Sequence, residues 1–168
     1  MQINCSGKGQ LQFLWYRDYA NCGEPTCDLY FQPIKVLDGD NREVFKVTKT
    51  ATADDVNKVY FSWSQFDSLN DPIDVNIARN KQVTISITAR DRDNFGSDDD
   101  MHSINGLVVP FVSINADNIW KYESFTSSDK EATLRIKYRI VSCNDHFTGQ
   151  GCEECEEHYY TTDCSRYC

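Results

Sequence analysis

The feature that most constrains this chain is where its cysteines fall. Of eight, Cys5, Cys22 and Cys27 stand near the start and Cys143, Cys152, Cys155, Cys164 and Cys168 crowd the end, while the 115 residues between Cys27 and Cys143 hold none. A 26-residue segment buries too little apolar surface to fold without covalent help, so 143–168 reads as a disulfide-stapled module following a core-bearing domain at 1–142. That usage points to an oxidising, extracellular setting. Five cysteines in the last segment is an odd number, so Cys168 is expected to pair beyond the end of this chain, or else with Cys5. Zinc is the competing reading of the tail, with Cys152-x-x-Cys155, Cys143 or Cys164, and His146 or His158 as ligands. The repeated unit is instead an eight-residue loop between cysteines, which favours disulfides.

Charge narrows the partners. Lys and Arg total 17 against 26 Asp and Glu, a net charge of -9, which excludes nucleic acid as an expected partner and disfavours anionic membranes unless a bound cation reverses the local sign. Apolar stretches such as Gly106 to Val112 are far short of the roughly 20 residues of a bilayer span. Met1 to Cys5 lacks the basic-then-apolar pattern of a leader, so any secretion signal is expected to have been removed.

Hydrophobic residues recur with the period of strands and nowhere with that of a long helix. Leu11, Phe13 and Trp15 alternate with polar partners; Leu29, Phe31 and Ile34, then Val44–Val47 and Val59–Trp63, continue the series. The clearest alternations are Val83–Ala89 and Leu134–Ile140, each covering a core on one face only. Turn chemistry separates the runs at Asp38-Gly39-Asp40-Asn41, Asn70-Asp71-Pro72 and Asn94-Phe95-Gly96-Ser97. The expectation is an all-β fold, an antiparallel two-sheet β-sandwich of about eight strands, with the tail directly on the last strand.

The most unusual segment is Arg90–Asp100, with aspartates at 91, 93, 98, 99 and 100 immediately after a strand. A solvated acidic loop is the plain reading; a Ca²⁺ site is the functional one, since that ion takes six to eight oxygens. Asp18 and Asp28 would join Asp91, Asp93, Asp98, Asp99 and Asp100 if a second loop reached the same end of the sandwich, whereas Arg90 and Arg92 weaken the case. No nucleophile, acid–base pair or phosphate loop stands out, so no enzyme is expected. The tail carries Phe147, Tyr159, Tyr160 and Tyr167, and a module this small leaves some rings at its surface, where tyrosine is a common interface anchor. Asn4-Cys5-Ser6 is only a formal N-glycosylation match.

The run Cys155-Glu156-Glu157-His158-Tyr159-Tyr160-Thr161-Thr162-Asp163-Cys164-Ser165-Arg166-Tyr167-Cys168 resembles the opening of the DSL domain of Delta/Serrate/Jagged-type Notch ligands, with its Tyr-Tyr pair and cysteines spaced by eight and three. Lys137–Val141 resembles the strand leading into that domain, and Cys27-Asp28-Leu29-Tyr30-Phe31 a segment of the C2-like N-terminal (MNNL) domain. The tail also has a second register starting at Cys143, and Cys143-x8-Cys152-x2-Cys155-x8-Cys164 is similar to part of a laminin-type EGF repeat. The resemblance implies a C2-like β-sandwich followed by a receptor-binding module that recognises EGF-like repeats of a Notch-type receptor. It would do so through Tyr159, Tyr160, Tyr167, His158 and Phe147. It also gives the acidic loop a role, since calcium-binding C2 domains gather loop aspartates at one end, and Phe95 would dip into a phospholipid membrane once calcium offsets the charge. A calcium-dependent phospholipid-binding domain and a laminin-like adhesion module are the alternatives. The disulfides expected are Cys22–Cys27, Cys143–Cys152 and Cys155–Cys164.

Overall fold

The computed structural model describes residues 5–19, 26–66, 69–93, 96–161, 164, 166 and 167, and those contain strands and short 3-10 turns but no α-helix. Ten strands build the sandwich: β1 (Cys5–Asp18), β2 (Cys27–Leu37), β3 (Glu43–Val47), β4 (Ala53–Val56), β5 (Lys58–Tyr60), β6 (Ile73–Ala78), β7 (Val83–Asp91), β8 (Asp99–Val109), β9 (Lys121–Thr126) and β10 (Ala132–Cys143). One sheet runs β5-β1-β10-β9, with β6 sharing the β1 edge; the other runs β3-β2-β7-β8, with β4 sharing the β2 edge. All the pairings are antiparallel.

The alternations at Val83–Ala89 and Leu134–Ile140 translate directly into structure. Val83, Ile85, Ile87 and Ala89 of β7 and Leu134, Ile136, Tyr138 and Ile140 of β10 are buried, with their neighbours facing outward. β1 departs from the simple pattern. A bulge between Phe13 and Trp15 adds one residue, which switches the faces beyond it, so Tyr16 enters the core and Trp15, expected inside, stands on the outer face. Phe31 lies at the centre of an aromatic cluster, 5.1 Å from Tyr16, 5.5 Å from Phe61 and 6.3 Å from Phe66 between ring centroids. The expected strand at Val59–Trp63 ends at Tyr60 because the chain turns at Phe61 toward the 3-10 segment Ser64–Phe66.

The tail adds two small hairpins, β11 (Phe147–Thr148) with β12 (Glu154–Cys155) and β13 (Tyr159–Tyr160) with β14 (Arg166–Tyr167). Disulfides join Cys143 to Cys152 and Cys155 to Cys164, which removes the thiolates that a zinc site would need. Cys27 is also disulfide-bonded, its expected partner Cys22 lying outside the described residues, as does Cys168. Cys5 is a free thiol, so it is not the partner of Cys168.

Rather than hanging from β10, the tail is seated on the sandwich. Gly151 N–H donates to Ile114 O at 2.8 Å, Asn144 N–H to Ser6 O at 2.8 Å, and the Arg79 guanidinium to Thr161 O at 3.2 Å. Gly7 brings the β1 backbone against the first disulfide, where an added Cβ would sit 2.8 Å from Cys152 Sγ. Cys152 and Cys164 are fully buried in the common core.

Candidate functional site

β1 ends, and β2, β8 and β10 begin, at the edge where β7 ends, so the strand order gathers Asp18, Asp28, Asp91 and Asp99 at one end of the sandwich, opposite the tail. Within that end the aspartates divide into two groups. Asp91, Asp93 and Asp99 each offer a carboxylate oxygen, all within 4.8 Å of one another. Asp91 is buried, and its Oδ1 accepts from the Asp28 N–H at 2.9 Å. Partial desolvation, then the charges of Asp99 and Asp91, pushes the Asp93 carboxyl above the ordinary aspartate range. A hard cation would relieve that repulsion, and an all-oxygen donor set completed by water fits calcium.

The other expected ligands have partners of their own. Asp28 Oδ1 accepts from the Asp55 N–H, and Asp98 accepts from the Tyr30 hydroxyl at 2.6 Å and the Asp93 N–H at 3.1 Å. The Tyr30 bond comes first among the causes that lower the Asp98 carboxyl. Asp100 pairs with Arg90 at 2.8 Å, and Arg92 with Asp54 at 3.2 Å. Each arginine thus has a carboxylate partner outside the Asp91–Asp93–Asp99 group. Phe95, the expected lipid-contacting residue, lies outside the described residues.

Asp18 belongs to a second group that sequence reasoning missed. Its carboxylate accepts from the Tyr16 hydroxyl at 2.8 Å and faces His102 Nδ1 at 3.0 Å, while His102 Nε2 meets Glu131 at 2.9 Å and Asp129 at 3.2 Å. Only 1% of the Asp18 side chain and 10% of His102 are exposed. Burial works against the imidazolium, but the bond and charge of Asp18, with Glu131 and Asp129, outweigh it and leave the His102 pKa raised. This ion cluster ties β8 of one sheet to β1 and the β9–β10 turn of the other. No local motif announces it, because 84 residues separate His102 from Asp18.

At the tail end the aromatics sort by exposure. Phe147, expected at the surface, is 5% exposed and packs into the sandwich core, because the docked tail shares that core instead of forming its own. Tyr159 is half-buried, its ring stacked on His146 with centroids 3.7 Å apart. Tyr160 is 47% exposed and His158 stands in the open beside Glu157. Tyr167 pairs through its backbone with Tyr159.

No protein-family model matches this chain, and no curated protein matches its sequence. Solved structures match its architecture. Human GIVD cytosolic phospholipase A2, in complex with methyl gamma-linolenyl fluorophosphonate and terbium chloride, is 13% identical, with a TM-score of 0.52 over 83% of this chain and 18% of the phospholipase. The paired C2 domains of extended-synaptotagmin 2 are 14% identical, with a TM-score of 0.51 over 83% of this chain and 43% of that one. Drosophila C2-DSL-EGF1 is matched over 95% of this chain and 86% of its own length, at 11% identity and a TM-score of 0.45. This chain spans less than a fifth of the phospholipase. The fold is a C2-like β-sandwich carrying a small disulfide-rich module.

Proposed function

We propose that this chain is a non-enzymatic extracellular binding module of the Notch-ligand type, whose disulfide tail recognises EGF-like repeats of a Notch-type receptor. The observation that carries the reading is the seating of the tail. Two disulfides and hydrogen bonds to Ser6, Ile114 and Arg79 fix it on the sandwich, so Tyr160 and His158 are held outward on a rigid base. Rigid presentation lowers the ordering cost of association, and exposed tyrosine supplies contact area at small entropic loss. The outer edge of half-buried Tyr159 extends the same surface, whereas buried Phe147 acts as its anchor. The test is surface plasmon resonance of the purified chain on recombinant receptor EGF repeats. Saturable binding that is lost on reduction, and weakened about tenfold or more by Tyr160→Ala, supports the reading. Absence of binding overturns it.

A second reading, calcium-dependent phospholipid binding, is favoured by the Asp91, Asp93 and Asp99 carboxylates at the opposite end. Liposome sedimentation with and without calcium tests it: Asp91→Asn with Asp93→Asn would abolish lipid binding and spare receptor binding.

A further inference from the structure

The outer face of the β5-β1-β10-β9 sheet contradicts the sign of the whole chain. Register places its side chains in rows: Lys58, Arg17 and Thr133; then Tyr60, Trp15, Arg135 and Ser124; then Gln12, Lys137 and Tyr122; then Asp74, Gln10 and Arg139. Five cations therefore meet one carboxylate, Asp74, which lies at the rim beyond Gln10 and accepts from its amide at 2.8 Å. In a chain of net charge -9 this is a local reversal. Among the described residues none of the five cations is ion-paired, whereas Arg90, Arg92 and Lys121 each have a carboxylate partner.

Aromatic rings hold these cations in place. Lys58 lies 4.3 Å from the Trp15 ring centre and 4.8 Å from that of Tyr60; Lys137 and Arg139 lie 4.6 and 4.1 Å from that of Trp120. Arg135, Lys137 and Arg139 occupy alternate positions of one strand, so they form a column with a spacing of about 6.8 Å.

We infer that this face binds a linear sulfated polysaccharide. An open sheet face suits an extended polyanion lying across it, and the charge complementarity is direct, with sulfates meeting the column while ring edges and methylene stems accept sugar C–H surface. Single-stranded nucleic acid binds by stacking bases on successive ring faces, but Trp15 and Trp120 already carry the protein's own cations, and the exposed Tyr60 and Tyr122 stand at opposite edges of the sheet. The two disulfides suit the oxidising surroundings in which such polysaccharides occur. The binding face contains neither the Asp91–Asp93–Asp99 group nor a residue of the tail, so its test can fail without touching the proposed function.

The test is binding of the intact chain to immobilised heparin, with desulfated heparin, poly-glutamate and single-stranded DNA as competitors. Saturable binding is expected, displaced by soluble heparin and weakened about a hundredfold between roughly 50 and 200 mM salt. The variant Arg135→Gln/Lys137→Gln/Arg139→Gln should lose about tenfold or more, with its melting temperature checked alongside. If that variant does not fold, Lys137→Gln alone should still weaken binding, while Lys81→Gln, away from this face, should not. No binding at low salt, equal loss in the Lys81→Gln control, or equal competition by poly-glutamate or DNA would overturn the inference.

Discussion

Replacing His102 by Ala removes the imidazolium that faces the buried carboxylate of Asp18. The Nδ1 contact at 3.0 Å to a side chain 1% exposed has the strength of a hydrogen bond to a buried charge, about 1.5–3 kcal/mol. Glu131 and Asp129 are half exposed, so solvent reduces each of their contacts to about 0.2–1 kcal/mol. The expected loss is about 2–5 kcal/mol, or about 4–20 °C in melting temperature for a chain of this size. Its pH dependence identifies its origin. Because the folded His102 pKa is raised above its ordinary 6.5, the proton is held more tightly in the native state. The contribution is then fully present below the unfolded pKa and fades as pH rises through the folded one. Urea unfolding with disulfides intact, followed by tryptophan fluorescence, should show the gap between wild type and His102→Ala widest near about pH 6 and narrowed by about pH 9. A gap below about 0.5 kcal/mol at the lower pH, or one equal at both, would refute the reasoning.

Phe31→Ala, at the centre of the aromatic cluster, should cost about 3–5 kcal/mol in the same assay. Gly151→Ala should release the tail while sparing the sandwich. Its φ is +67° and its Cβ would lie 2.6 Å from Val112 Cα, so limited proteolysis should cut near the first tail disulfide in the variant and not in the wild type. Burial, then the Asp40 bond and charge, pushes the Cys5 thiol up to about 12, so iodoacetamide at about pH 8 should label it slowly in the folded chain and faster after Asp40→Asn. Rapid labelling of the wild type would remove that account.

Strand patterning was legible where burial alternates without interruption. β7 and β10 could be read residue by residue, whereas the bulge in β1 exchanged Trp15 for Tyr16, because one inserted residue reverses every later side chain and leaves the composition of the run unchanged. The crowding of cysteines marked the tail as disulfide-stapled, and the two bonds found there are the expected pairs, but the burial of Phe147 was not legible, since it depends on a shared core that only docking creates. The acidic run marked the Asp91–Asp93–Asp99 group, while the capture of Asp18 by His102 required a long-range contact that no local signal carries. Net charge concealed the basic face. Its signature, Arg135-x-Lys137-x-Arg139, was present in the chain as the ordinary polar side of a strand, and pairing with β1, β5 and β9 made it a patch.

The pairing of β1 with β10 also sets how this protein bears load. β10 begins at the acidic end, where Ala132 lies opposite Asp18, and finishes at the tail, where Cys143 lies opposite Gly7. A pull between those two ends is directed along both strands. It stresses their hydrogen bonds together in shear instead of peeling them apart one by one, and the seated tail hands the tension on to β1 and β6 through Ser6 and Arg79. A partner gripping the tail and an anchor at the acidic end of β1 would thus load the β1–β10 hydrogen bonds in shear.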